Sequence, residues 1–165
     1  MITIETSMGT IQAELWPDKS PKTVANFLQY VEEGYYDGLV FHRVIPGFMI
    51  QGGGMDDSLR EKASKHEPVP NEASAETGND RGTLAMARTS DPHSATSQFF
   101  INVADNDFLN HSAPTPQGYG YCVFGKVTAG LDVVDAIVAV ATQRQGPHEN
   151  VPVEPIVIQS IRAAE

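Results

Sequence analysis

The sequence predicts a mainly β fold, a closed eight-stranded antiparallel β-barrel capped by two α-helices. Three observations lead there. Eight short segments are apolar or alternate apolar with polar residues. Only two stretches carry a helical stripe. The 14 glycines and 11 prolines are scattered along the 165 residues, as turns between short strands require. Closure is expected because a barrel leaves no exposed sheet edge, and two helices can plug its open ends. With no internal repeat, low-complexity tract or linker, residues 1–165 read as one domain.

At the start of the chain, Ile2, Ile4 and Thr6 alternate with polar residues, and Ile11, Ala13 and Leu15 repeat the pattern after Met8-Gly9. This predicts a β-hairpin with a short turn. In SPKTVANFLQYVEEG, Ser20 suits the helix cap and Pro21 the first helical position. Val24, Phe27, Leu28 and Val31 then form one apolar stripe, and Gly34 ends the helix. A second helix is predicted over Leu131 to Val140, with Val134, Ile137 and Val138 on one face. The remaining strands are expected at Leu39–Val44, Phe48–Gln51, Thr83–Met86, Phe99–Val103, Cys122–Val127 and Ile156–Ile161. Between Gly52 and Gly82 the chain is polar, with scattered Gly and Pro, and reads as a long functional loop.

Bulk properties narrow the function by exclusion. The composition, 41% hydrophobic and 19% charged, is that of an ordinary globular chain. A formal net charge of -10 repels phosphate backbones and anionic headgroups, so neither nucleic acid nor a membrane is an expected partner. The lone cysteine, Cys122, permits no intramolecular disulfide, and within YCVFG it reads as a small buried hydrophobe. The acidic, alternating N-terminus lacks the features of a signal peptide, and no apolar run reaches the roughly 18 residues of a membrane span. A reducing, cytoplasmic setting is the expectation, and a monomer is the default.

Three segments concentrate unusual residues: FHRVIPGFMIQGG (Phe41–Gly53), LAMARTSDPHSATSQFFIN (Leu84–Asn102) and DNDFLN (Asp105–Asn110). Strand alternation puts Phe41, Arg43 and Ile45 on one face. Met49 and Gln51 share a face, with Phe48 opposite unless the Pro46-Gly47 turn re-aims it, and Gln98 and Phe100 share another. A guanidinium, two amide side chains, a Met and a Phe can therefore line one concave patch.

FHRVIPGFMIQGG resembles the cyclophilin signature nearly residue for residue. GTLAMAR, SQFFI and VFGKV resemble the family's later core segments in the same order. The similarity covers essentially the whole chain, and the short loop after Gly54 with the GYGYCVFGKV run is closest to the bacterial cytoplasmic type. The resemblance implies a peptidyl-prolyl cis/trans isomerase that assists protein folding, needs no cofactor or metal, and acts on proline-containing peptides and client proteins. It implies that Arg43 is the catalytic arginine, partnered by Gln51, and that Phe48, Met49, Phe100, Phe108 and Leu109 wall the proline pocket. Gln51 and Gln98 would hold substrate carbonyls, and the Ala87, Arg88 and Thr89 backbone would bind the residues before proline. Two positions depart from the eukaryotic pattern. Phe108 replaces a tryptophan and loses an indole donor, so cyclosporin-type inhibitors are expected to bind weakly; Tyr121 replaces a histidine and can still pack against substrate.

The chemistry suits those residue types. Rotation about a peptide bond faces a barrier of about 18–20 kcal/mol, and X-Pro bonds exchange over tens to hundreds of seconds. Twisting returns a lone pair to the imide nitrogen. A fixed guanidinium aimed at that nitrogen gains strength only as the twist develops, which is differential transition-state binding. Raising the rate from about 0.01 to about 1,000 per second requires roughly 7 kcal/mol, within reach of one charged hydrogen bond plus immobilisation.

Other signals carry less. His42, His66, His93, His111 and His148 form no metal-binding spacing, and His42 is read as a hydrogen-bonded core group. SDPHSATS has no triad geometry, and QGGG lacks the GK[ST] of a phosphate loop; its glycines let the backbone turn or approach another strand. Two rivals stay open. A binding module would grip proline peptides without needing Arg43. A small-molecule carrier would need a hollow barrel, against which the bulky Phe27, Leu28, Phe99 and Ile101 argue.

Overall fold

A computed structural model describes residues 1–163. All eight expected strands form, in one antiparallel sheet: β1 (Ile2–Thr6), β2 (Gly9–Leu15), β3 (Phe41–Ile45), β4 (Met49–Gly52), β5 (Thr83–Met86), β6 (Phe99–Asn102), β7 (Val123–Ala129) and β10 (Ile158–Ala163). Their order is β10-β1-β2-β7-β5-β6-β4-β3. The helices are α1 (Pro21–Glu32) and α2 (Leu131–Val138).

The expectation of a closed barrel needs correction. The sheet curls until β3 and β10 approach, but no ladder joins them. The segments preceding them meet at a single bridge, Val40 with Val157, helped by the Gly38 and Phe41 N–H groups donating to the carbonyls of Ile158 and Ile156. Pro155 has no N–H to give, and β10 begins only at Ile158, two residues later than its apolar pattern suggested. A second hairpin, β8 (Thr142–Gln145) and β9 (His148–Pro152), lies beside β3. Its first strand is wholly exposed and polar, so it carries no alternation to read.

The barrel is filled. Phe27 of α1 packs against Phe99 at 5.5 Å edge-on and against Phe124 at 5.0 Å, and Phe41 meets Phe99 at 6.1 Å. Val134 and Ile137 of α2 join the same core. Two details of α1 differ from expectation. Tyr30 is buried where Leu28 is only partly so. Ser20 does not cap: its hydroxyl donates to the Val123 carbonyl at 2.9 Å. The cap comes from Glu72 in the long loop, whose carboxylate accepts from the Thr23 N–H at 2.7 Å and hydroxyl at 2.8 Å. Cys122 is buried as expected, and burial pushes its thiol pKa up.

Candidate active site

The site lies on the outside of the barrel, on the face opposite the internal core. Register explains how it is assembled. Arg43 pairs with Gln51, Gln51 with Phe100, Phe100 with Ala85, and Ala85 with Val123, so one row of side chains crosses five strands on one face. Met49, Ala85, Phe100, Leu109 and Val123 form a buried apolar cluster separate from the core, with Trp16, Ile45, Phe48, Ala87 and Tyr121 packed around it.

A β-bulge decides where the arginine points. The ladder pairs Phe41 with Gly52 and Arg43 with Gln51, leaving His42 as the extra residue. Phe41 therefore faces the core, against the alternation that placed it with Arg43, while Arg43 is exposed on the outer face. His42 also departs from expectation. It is 7% exposed, and its Nδ1 has no hydrogen-bond partner among the described residues. Burial, with lesser contributions from the nearby charges of His148 and Arg43, pushes its pKa down from 6.5 to about 4.

A polar rim follows the apolar cluster. The Arg43 guanidinium reaches the Gln51 Oε1 at 3.5 Å, the outer limit of a hydrogen bond, and Gln51 Nε2 donates to Gln98 Oε1 at 3.0 Å. Gly54 makes this possible: a Cβ there would stand 2.4 Å from the Gln98 side chain. The turn after β3, with Gly47 at φ 74°, does re-aim Phe48 to the outer face, where it stacks on Phe108 at 5.6 Å. Phe108 and Leu109 sit on a 3₁₀ turn, Asp107–Leu109; Leu109 is 8% exposed and Phe108 is 74% exposed.

On the other side, Phe100 meets Tyr121 edge-on at 5.7 Å, and the Arg88 guanidinium lies over the Tyr121 ring at 4.6 Å. Arg88 is also tied by its Nε to the Gly120 carbonyl at 3.0 Å. The Ala87 N–H donates to the Gln98 carbonyl, and the Thr89 N–H to the Ser94 hydroxyl. Beside this strand end lies a hollow of about 250 Å³ lined by Gln51, Glu61, Ala87, Arg88, Thr89, Ser94, Thr96 and Gln98. A larger hollow, about 540 Å³, lies away from the site between Met8 and Val153.

All twelve residues singled out in the sequence thus meet on one outer face. Ile45, which alternation placed on the face of Arg43, packs there too, whereas Ala85, Val123 and Trp16 were missed. Ala85 and Val123 sit within strands that were foreseen, and only the cross-strand register brings them beneath Phe100.

Comparison with known proteins settles the family. The model of the cyclophilin type peptidyl-prolyl cis-trans isomerases matches residues 1–163. The chain belongs to the cyclophilin family. Its activity is peptidyl-prolyl cis-trans isomerisation. This cyclophilin is 56% identical over 165 residues to peptidyl-prolyl cis-trans isomerase B of Escherichia coli (strain K12), covering all of both chains. It is 55% identical to peptidyl-prolyl cis-trans isomerase cyp18 of Streptomyces antibioticus, over 98% of this chain and 96% of the relative. Among solved structures, it resembles a Cryptosporidium parvum cyclophilin crystallised in the presence of the dipeptide Ala-Pro. The TM-score is 0.85 at 29% identity, covering 99% of this chain and 98% of that one.

Proposed function

We propose that this cyclophilin rotates X-Pro bonds by holding the proline ring against Met49, Phe100 and Leu109 while Arg43 hydrogen-bonds the imide nitrogen as it pyramidalises. The observation that carries the reading is the cross-strand pair of Arg43 and Gln51 at the edge of a buried apolar cluster. The floor excludes water and immobilises the ring, and the cation stands at its rim. An Arg is charged at any working pH and presents rigid donors, so the interaction is ready without reorganisation. Gln51, bonded to both Arg43 and Gln98, orients the guanidinium.

The substrate chain before the proline would run along Ala87–Thr89. There the Arg88 N–H meets no acceptor among the described residues and can donate to a substrate carbonyl. Gln98 offers an amide to the same stretch, and Tyr121 and Phe48 flank the ring. Proline-containing segments of folding client proteins are the proposed substrates, as the Ala-Pro dipeptide used with the C. parvum relative suggests. The proposed setting is the cytoplasm, in keeping with a single buried cysteine and an acidic surface. Cyclosporin-type inhibitors are proposed to bind weakly because Phe108 offers no indole N–H. Phe108→Trp is expected to tighten them, read as stronger inhibition of turnover.

Turnover of a short X-Pro peptide, measured beside its binding affinity, tests the mechanism. Arg43→Ala is expected to lower kcat by roughly a hundredfold or more while affinity changes by no more than about threefold. Unchanged turnover in Arg43→Ala would remove the assigned role of the cation and leave catalysis to the apolar slot and the remaining donors.

A further inference from the structure

Behind the walls of the proline slot lie three asparagine side chains that no part of the mechanism above uses. Asn79 and Asn102 are 0% exposed and Asn106 is 3% exposed. A buried primary amide is costly unless its donors find acceptors. Here they do, and several of those acceptors are main-chain carbonyls of the slot walls. Asn106 Nδ2 donates to the Phe48 carbonyl at 2.8 Å and to Asn102 Oδ1 at 2.8 Å. Asn102 Nδ2 donates to Asn79 Oδ1 at 3.1 Å and to the Thr83 hydroxyl at 2.9 Å. Asn79 Nδ2 reaches the carbonyls of Leu109 at 3.1 Å and Tyr121 at 3.3 Å.

The three residues come from different parts of the chain: the end of the long loop, the end of β6, and the residue before the 3₁₀ turn. The walls they hold are equally scattered, on the β3–β4 turn, the 3₁₀ turn and the start of the β7 segment. Phe48, Leu109 and Tyr121 all lie outside the strands, and the amides add to the main-chain bonds there, from the Val103 N–H to the Phe48 carbonyl at 3.0 Å and from the Tyr121 N–H to the Leu109 carbonyl at 2.9 Å. The network makes no hydrogen bond to Arg43 or Gln51. A continuous, satisfied chain of buried amides has few alternative arrangements, so it fixes the spacing of whatever it joins.

We propose that Asn102 and Asn106, with Asn79, are positioning residues that set the width of the proline slot through the main chain of Phe48, Leu109 and Tyr121. This rests on the reading of that slot as the substrate site. A wall that grips the ring equally in the planar and twisted states contributes uniform binding, so its loosening raises KM and spares kcat.

The test measures KM, kcat and direct affinity for an Ala-Pro peptide, alongside thermal unfolding, at a temperature where every variant is folded. Asn106→Ala is expected to weaken affinity and raise KM about tenfold with kcat within about threefold, the reverse of Arg43→Ala. Thr83→Val keeps the side-chain shape and removes one Asn102 acceptor. It is expected to raise KM about twofold to threefold, and it decides the matter if Asn106→Ala does not fold. Val134→Ala, in the internal core away from the slot walls, is the control for lost stability and is expected to keep wild-type KM. The proposal is overturned if the folded network variants bind like wild type, or if Val134→Ala raises KM as much as they do. A wild type that binds no proline peptide overturns the reading of the slot as well; a fall in kcat alone overturns only the positioning role.

Discussion

His42 and Arg43 are neighbours in the chain with opposite circumstances. Arg43 is exposed and free to approach a substrate, whereas His42 is buried with an unpartnered Nδ1. The histidine's pKa falls from 6.5 to about 4 chiefly because burial penalises its charged form. Between those values the unfolded chain holds a proton there that the folded chain does not. Stability is therefore full above pH 6.5 and declines as pH falls towards 4, by up to about 3 kcal/mol from this residue. His42→Leu removes both the titration and the orphaned nitrogen. Urea unfolding from pH 7 to 4.5 is expected to show a shallower acid loss in His42→Leu than in wild type, and at pH 7 a stability equal to or above it. An equal acid slope in both proteins contradicts this.

Adjacent residues on one strand divide fold from function. Phe99 points into the barrel, with its ring against Phe27, Tyr36 and Phe41, whereas Phe100 points outward onto the site cluster. Phe99→Ala is expected to cost about 3–5 kcal/mol in denaturant unfolding. Phe100→Ala should cost less stability but abolish most proline-peptide binding, measured by titration. This division was legible in the sequence because β6 alternates regularly and both faces carry large apolar residues. The β3 segment was less legible. A bulge inserts one residue without any Gly or Pro to mark it, so simple alternation sent Phe41 to the wrong face. Long-range contacts were invisible for a different reason. Glu72 caps a helix fifty residues upstream and Asn79 braces Leu109, yet each reads locally as an ordinary polar loop residue. Only the folded path of the Gly52–Gly82 loop brings them to their partners.

At the scale of the whole molecule, the weak place is the seam. β1 and β2 are laddered on both sides, whereas β3 and β10 meet through one bridge and a few main-chain bonds. The Arg162–Asp37 ion pair nearby, at 2.8 Å, is solvent-exposed and contributes little. Local opening should begin there. In native-state hydrogen exchange, the amides of Gly38, Phe41 and Ile158 are expected to exchange before those of Ile4 and Ala13, and the reverse order would place the weakest line elsewhere. The filled interior has a separate bearing on what the enzyme can work upon. With the proposed slot on the exterior wall instead of inside a tunnel, a polypeptide would be grasped broadside. A bend in the middle of a long client is as reachable as one beside a loose end, and nothing needs to be threaded or released from a closed chamber afterwards.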